Sequence, residues 1–309
     1  MKNDYQTRIE TVIKYIEDHY AEKIDLDSLA QVSHFSKYHF SRIFKAIIGE
    51  TPMSFVNKKR LQRSIYYLTE TNKSILEISN LCGFESSSTF HALFKKHFHI
   101  VPTDVRKNNF HNSNISLYMS KNQEEMSTSV CYANDSNNNL LRRIWTMNIM
   151  IKELPDYEVA YVRHVGSYLE TFQAWSKLGE WAHKHGIDQT KYSIGISLDD
   201  PNFVDEYACR YDACVTIPKD FYKENNDDIQ YKTLQGGTYA LYQFHDTLDK
   251  FALAYQSIFG QWLPNSEYDA DDKPCLEFCM NNPATDPEGK AKVDLYIPIK
   301  KRGNYSVTL

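Results

Sequence analysis

The sequence predicts a multidomain chain: an all-α head of two helix-turn-helix units, followed by an α+β domain of two βαββ repeats around a cleft. Three observations lead there. In the first third, apolar residues such as Ile9, Val12, Ile13 and Ile16 stand three or four apart, the spacing of one helix face, and almost nothing alternates as a strand does. From Asn148 onward the texture changes to short β-branched and aromatic runs, Glu158-Val159-Ala160-Tyr161-Val162 among them, separated by amphipathic helices and turn residues. Between the two, Asn108 to Asn139 loses periodicity and fills with Asn, Ser and Gln, including Asn137-Asn138-Asn139. The boundaries expected from these changes are 1–107, a linker over 108–147, and 148–309; a 309-residue chain exceeds the ~100–200 residues usual for one domain.

Within the head, helix starts are signposted. Thr51 precedes Pro52 as a cap before a first-turn proline, and Ser74 with Glu77 has the spacing of a capping box. Sliding the sequence against itself places Leu29-Ala30 on Ile78-Ser79 and Phe35 on Phe84. After one inserted residue, Phe40, Phe44, Lys45 and Pro52 fall on Phe90, Phe94, Lys95 and Pro102. Each copy holds a short helix (Leu26 to Val32; Ile75 to Leu81), a tight turn and a second helix, which is helix-turn-helix form. The second domain repeats too. Strand Val159-Ala160-Tyr161 leads into a helix ending Leu178-Gly179-Glu180-Trp181, and Tyr239-Ala240-Leu241 leads to Phe259-Gly260-Gln261-Trp262. Two such units pack about a pseudo-twofold axis and leave a cleft where they meet, a common place for ligands.

Composition narrows the function classes. No run of about 18 apolar residues occurs, and Met1 to Glu10 is charged and polar rather than basic and then apolar. Neither a membrane span nor an export signal is expected, and the cytoplasm is the expected compartment. Cys82, Cys131, Cys209, Cys214, Cys275 and Cys279 are scattered without a CxxC pair, and a reducing compartment keeps them as thiols; no metal and no cofactor is expected. The net charge of -5 divides unevenly: residues 1–107 hold 16 Lys+Arg against 12 Asp+Glu, net +4, and residues 108–309 hold 19 against 28, net -9. A modestly basic head approaches a phosphate backbone, which an acidic remainder avoids while suiting neutral or cationic ligands.

In the second helix of the first head repeat, Phe40, Ile43, Phe44 and Ile47 form the inward stripe, leaving Lys37, Tyr38, Ser41, Arg42 and Lys45 toward the open side. In the second repeat Phe90, Leu93, Phe94 and Phe98 face inward, leaving Ser86, Ser87, Ser88, His91, Lys95 and Lys96 outside. Such a face enters a major groove: Arg42 suits guanine, Ser87, Ser88 and His91 suit base edges or phosphates, and the lysines position the protein through phosphates. A solvated face of an ordinary helical bundle has a similar composition. Duplication separates the two readings, since groove-entering helices about one DNA turn (~34 Å) apart let one chain read successive groove segments. These residues resemble a known family. Ile78-Ser79-Asn80-Leu81-Cys82-Gly83-Phe84, followed by Phe90, Phe94-Lys95, Pro102 and Arg106, is similar to the AraC/XylS-type DNA-binding domain over about residues 8–107. The resemblance implies double-stranded promoter DNA as partner, two second helices in adjacent major grooves, and a long joining helix from Pro52 to Leu68. His99 departs from the family pattern, standing where the first repeat has Gly49. A left-handed helix end is harder for His, so a differently built turn is expected there.

Most aromatics of the second domain are expected in its core, with Trp181 and Trp262 packing at equivalent repeat positions. Glu277 stands out in Cys275-Leu276-Glu277-Phe278-Cys279, a carboxylate in the middle of a mostly apolar strand, either on a solvent face or buried with a purpose. Facing the cleft, it would be held in its charged form by a bound cation, and nearby aromatic faces add cation–π attraction of ~0.5–2 kcal/mol. That combination describes a site for lipophilic cations or amphipathic drugs. The runs Ala160-Tyr161-Val162-Arg163-His164-Val165-Gly166, Arg210-Tyr211-Asp212-Ala213-Cys214-Val215-Thr216-Ile217-Pro218, Gly236-Gly237-Thr238-Tyr239-Ala240 and Asp294-Leu295-Tyr296-Ile297-Pro298-Ile299 resemble the gyrase-inhibitor-like effector-binding domain over about residues 148–300. This resemblance implies Glu277 as the effector carboxylate, with Tyr296, Tyr168 and Trp175 as wall residues. The whole chain is then similar to regulators of the Rob type. It implies a sequence-specific DNA-binding transcription regulator, an activator rather than a repressor, that meets RNA polymerase and answers a small-molecule effector. No catalytic residue is expected. The alternative is hydrolysis of small electrophilic compounds with Glu277 as general base, for which no second catalytic group stands at a defined spacing. DNA compaction without an effector, a third reading, leaves the cleft unexplained.

Overall fold

The structure, a computed structural model, describes residues 4–107, 148–187, 192–199, 206–224 and 228–303. The chain divides into two units, Met1–Asn138 and Asn139–Leu309. The linker expected over 108–147, with Cys131, lies outside the described residues.

The described head is built of helices: α1 (Asp4–His19), α2 (Leu26–Ser33), α3 (Phe40–Ile48), α4 (Pro52–Glu70), α5 (Ile75–Leu81), α6 (Ser87–Phe98) and α7 (Pro102–Lys107). Side chains fix where they start. Thr51 Oγ1 accepts from the Ser54 N–H at 3.1 Å, ahead of Pro52. Ser74 and Glu77 exchange both bonds of a capping box, at 3.2 and 2.7 Å. Asp25 and Ser28 form a second box at α2, which the sequence reading missed because the carboxylate and the hydroxyl stand in reversed order. Phe40, Ile43 and Phe44 of α3 and Phe90, Phe94 and Phe98 of α6 are buried, as their spacing requires. Helix α4 serves both units: the Phe55 ring meets Phe44 edge-on at 5.8 Å, while Leu61, Ile65 and Leu68 pack with Phe90 and Phe94.

The turn at His99 is not built differently. His99 sits at φ +59° and Gly49 at φ +88°, and each donates its N–H to the carbonyl four residues back, at 2.9 and 2.8 Å. The closing bond of the helix holds the histidine in the left-handed region at a cost of about 1–2 kcal/mol.

The second unit is an antiparallel sheet of β1 (Met150–Leu154), β2 (Tyr157–Val165), β3 (Ser193–Ser197), β4 (Arg210–Thr216), β5 (Gln230–Leu234), β6 (Gly237–Asp246), β7 (Tyr268–Ala270), β8 (Leu276–Cys279) and β9 (Ala291–Lys301). Its longer helices among the described residues are α8 (Phe172–Lys184) and α9 (Phe251–Ser257), the latter continuing through a π-helical turn at Ile258–Trp262. The strand order is β1-β6-β9-β8-β3-β4-β2-β5, with β7 off this path on β9. Exchanging β1, β2, β3 and β4 with β5, β6, β8 and β9 reverses the order onto itself. Two βαββ units, β2-α8-β3-β4 and β6-α9-β8-β9, therefore meet at the β3–β8 pair about a pseudo-twofold axis.

The offset that places Val159 on Tyr239 also places Trp175 on Tyr255 and Ser197 on Glu277, in agreement with Gly195 lying opposite Glu277. Between Tyr255 and Trp262 there is one residue more than between Trp175 and Trp181, and the π-helical turn takes it up. Strand alternation then divides the centre of the sheet. Ile194, Ile196, Leu276 and Phe278 bury on one face with Cys214 and Tyr239. The other face receives the helices: Leu178 and Trp181 of α8 pack on Ala160, Val162 and Ala213, and Phe251 and Ala254 of α9 pack on Phe244 and Val293. Among the described residues no helix is long and apolar enough to cross a membrane.

Candidate functional site

On the first head repeat, Lys37 and Tyr38 are exposed in a turn ahead of α3, and Arg42 and Lys45 are half-buried on the helix itself. Ser41, expected on the open face, is buried at 9 % exposure. Within α3, position 41 stands three residues before the buried Phe44 and four before Lys45, at the edge of the buried face.

On the second repeat, Ser88, Lys95 and Lys96 are exposed and Ser87 and His91 half-buried, all along α6. Ser86 is the helix cap. Its Oγ accepts from the Thr89 N–H at 3.1 Å, so its first task is to satisfy a backbone donor. Ala92, exposed and four residues from both Ser88 and Lys96, completes that face; its small side chain suits a thymine methyl, and helical spacing alone would have found it.

In the second unit Glu277 lies on β8, on the helix-bearing face, and is 6 % exposed. Its Oε1 accepts from Ser197 Oγ at 2.9 Å and from the Tyr255 hydroxyl at 2.8 Å. Ser197 is its pseudo-twofold mate on β3 and Tyr255 comes from α9. The carboxylate is therefore held where the two βαββ units meet. Room for it depends on Gly195: a Cβ there would stand 3.1 Å from Glu277 Oε2 and 2.0 Å from the Tyr211 hydroxyl. Burial, and then the neighbouring Glu277 charge, hold the Tyr211 hydroxyl well above its ordinary pKa. The same two causes push the Cys279 thiol up to about 12.

Aromatic rings continue outward from this carboxylate. The Tyr211 ring is 5.8 Å from that of Tyr168 and 6.3 Å from that of Trp175. Tyr168 is fixed by its hydroxyl, which donates to the Asp199 carbonyl at 2.7 Å. Glu277, Tyr168 and Trp175 thus belong to one face. Tyr296 does not. It pairs across β8–β9 with Leu276, while Glu277 pairs with Leu295, so alternation carries Tyr296 to the opposite face. There its ring packs on Phe278 at 4.9 Å and Tyr239 at 6.3 Å. Tyr255 holds the place on the cleft face that was expected of Tyr296, and its signal in the sequence was its repeat equivalence to Trp175. Trp181 is buried and Trp262 stacks on Tyr268, both as packing residues.

Known proteins match both units. The model of the GyrI-like small molecule binding domain matches residues 147–300, and that of a helix-turn-helix domain matches 29–108. The probable transcription factor PqrA of Proteus vulgaris is 38% identical over 102 residues, 32% of this chain and 84% of that protein. The transcriptional activator RhaS of Escherichia coli is 30% identical over 101 residues; this chain spans 36% of its length. A DNA gyrase inhibitor of Escherichia fergusonii is 28% identical over 159 residues, 50% of this chain and 98% of that protein. Among solved structures, an AraC-type regulator from Chromobacterium violaceum is 28% identical, covering 35% of this chain and 96% of its own, with a TM-score of 0.33.

Proposed function

The chain belongs to the AraC-type transcription regulators, with a GyrI-like domain following its DNA-binding head, and from that premise we propose that it activates transcription in response to a small cationic or amphipathic effector. Helices α3 and α6 enter successive major grooves. Arg42, Ser88, His91 and Ala92 contact base edges, while Lys37, Lys45, Lys95 and Lys96 position the protein on phosphates. RNA polymerase is the partner to which the bound regulator presents itself.

The observation that carries the effector half of this reading is the placement of Glu277. A carboxylate withdrawn from water is costly to keep inside a fold, and here it is held where the two βαββ units meet, with the Ser197 and Tyr255 hydroxyls aimed at Oε1. A cation entering between α8 and α9 gains the Coulombic attraction of that carboxylate and the faces of Trp175 and Tyr168. Turnover is not part of the reading. The Cys279 thiol, raised to about 12, is no nucleophile near neutral pH. Glu277 Oε1 is engaged by two hydroxyls, an arrangement for holding charge rather than for activating water.

Quenching of tryptophan fluorescence by tetraphenylphosphonium tests the site. Saturable quenching by the wild type that weakens strongly in Glu277→Gln is expected. Equal quenching of both proteins would remove the cationic effector from the account and leave the DNA-binding head standing.

A further inference from the structure

Helix α1 lies outside both helix-turn-helix units, yet near its start it is bonded to the turn of the first, and the loop after its end is bonded to α4 and lies against the turn of the second. Near its start, the buried Arg8 donates Nε–H to the Ser33 carbonyl at 2.7 Å and a second N–H to the His34 carbonyl, with its guanidinium 3.7 Å from the centre of the Phe35 ring. Ser33 ends α2, and His34 and Phe35 open the turn between α2 and α3. Just past its end, the Tyr20 and Glu22 carbonyls each accept at 2.8 Å from the buried Arg60 of α4, through Nε and Nη2. The same loop presses on the turn of the second unit. A Cβ at Gly83 would stand 2.8 Å from both the Tyr20 and Ala21 carbonyl oxygens. The Arg60 guanidinium also lies 5.9 Å from the Phe84 ring, next to Gly83. Between these ends, Lys59 of α4 meets Glu17 at 2.6 Å.

The two turns held in this way are those that aim α3 and α6. Helix α4 alone joins the two units by a single rod whose ends, at Thr51 and Thr71, leave helical geometry and offer rotation. A second member running from one turn to the other closes the frame, and a closed frame resists changes of angle that one rod permits. We propose that α1 is a brace between the two reading units, and that Arg8 and Arg60, by fixing its ends, set the half-site spacing the protein accepts on DNA. Arg60 is thus a positioning residue for DNA reading, which it does not touch. The inference rests on the DNA-reading function proposed above.

The test uses the full chain and an operator selected from random duplex DNA, with probes in which the two half-sites are moved one or two base pairs closer or further apart, and probes carrying one half-site. Wild-type protein should bind the selected spacing at least about tenfold more tightly than any shifted one, because both helices engage together only at that spacing. In Arg60→Met, single-half-site affinity should stay within about twofold, and the preference among spacings should fall to about threefold or less. Arg60→Lys, which keeps a cation to bond one of the carbonyls, should lie between the two. If Arg60→Met does not unfold cooperatively, Arg60→Lys carries the test on the same scale. A wild-type spacing profile in a folded variant, or an equal loss on every probe including the single half-site, would overturn the brace. Failure of the wild type to bind any selected duplex would instead defeat the DNA-reading function itself.

Discussion

Both domains are built by duplication, and their copies diverge in opposite ways. The two units of the head keep one task, and their differences lie in how each turn is made. The first has His34 in the turn and Gly49 at the end of its second helix, at φ +53° and +88°; the second has Gly83 and His99, at φ +78° and +59°. Both units need left-handed backbone at both places, but of the two glycines Gly83 backs onto another stretch of chain, whereas nothing lies within 4 Å of a Cβ built on Gly49. Contact demands glycine at one position, and backbone angle merely favours it at the other. In the effector domain the copies keep the scaffold and divide the chemistry, with Ser197 and Glu277 at twofold-related positions on the cleft floor. Two groove segments call for two similar faces. A cleft on an axis has one centre, where a second carboxylate would repel the first.

The duplicated units should therefore respond differently to substitution. Gly83→Ala should cost about 3 kcal/mol or more in urea unfolding, from the left-handed angle and the two carbonyls together, whereas Gly49→Ala should cost only the angle, about 1–2 kcal/mol. Equal losses would erase the distinction drawn between them. Glu277→Gln should weaken tetraphenylphosphonium binding by about 2 kcal/mol, roughly thirtyfold by titration, while Ser197→Ala should weaken it less, since it removes only a neutral donor. Ser86→Ala should lower stability by about 1 kcal/mol through the lost cap; Ser88→Ala should leave stability within about 0.5 kcal/mol and reduce DNA affinity. His99→Gly should raise stability by up to about 1 kcal/mol, and a thermal melt that fails to rise would mean the helix end is not strained.

The smallest effect is a pH dependence. Hydrogen bonds from Ser28 and Ser74 hold the Asp25 and Glu77 carboxyls below their ordinary values of 3.8 and 4.5. Folded pKa values below the unfolded ones mean stability that is fully present above those ordinary values and is lost as pH falls through them toward the lower folded ones. Glu77→Gln should flatten that acid limb, its loss of stability being present in full above about pH 6 and fading as the pH falls, and an equal loss at every pH would contradict this.

The head was legible because its signals are local. Phenylalanine spacing, the Thr51-Pro52 start and the Ser74–Glu77 box each act within one or two turns, and the structure shows all three. Ser41 was misplaced because it stands at the edge of the apolar stripe, three residues before Phe44 and four before Lys45, where helical spacing assigns it to neither face. In the sheet, strands were legible and their register was not. Whether Tyr296 shares a face with Glu277 depends on its lying opposite Leu276, a pairing that no local pattern encodes. Asp212 shows the same limit. It is fully buried beneath Arg163, which bonds it at 2.8 and 2.9 Å, and Lys232 at 2.5 Å, three residues that meet only because β2 lies between β4 and β5. Tyr255 was within reach, because the repeat that paired Trp181 with Trp262 also pairs Trp175 with Tyr255.

In the proposed function, occupancy of the Glu277 cleft controls what the head does on DNA. Transcription from a selected operator in a purified system, with and without tetraphenylphosphonium, measures that link directly. Wild-type protein should raise transcript only when the cation is present, and Glu277→Gln should bind the operator equally well and fail to respond. A response equal in both proteins, or cation binding that leaves transcription unchanged, would contradict it.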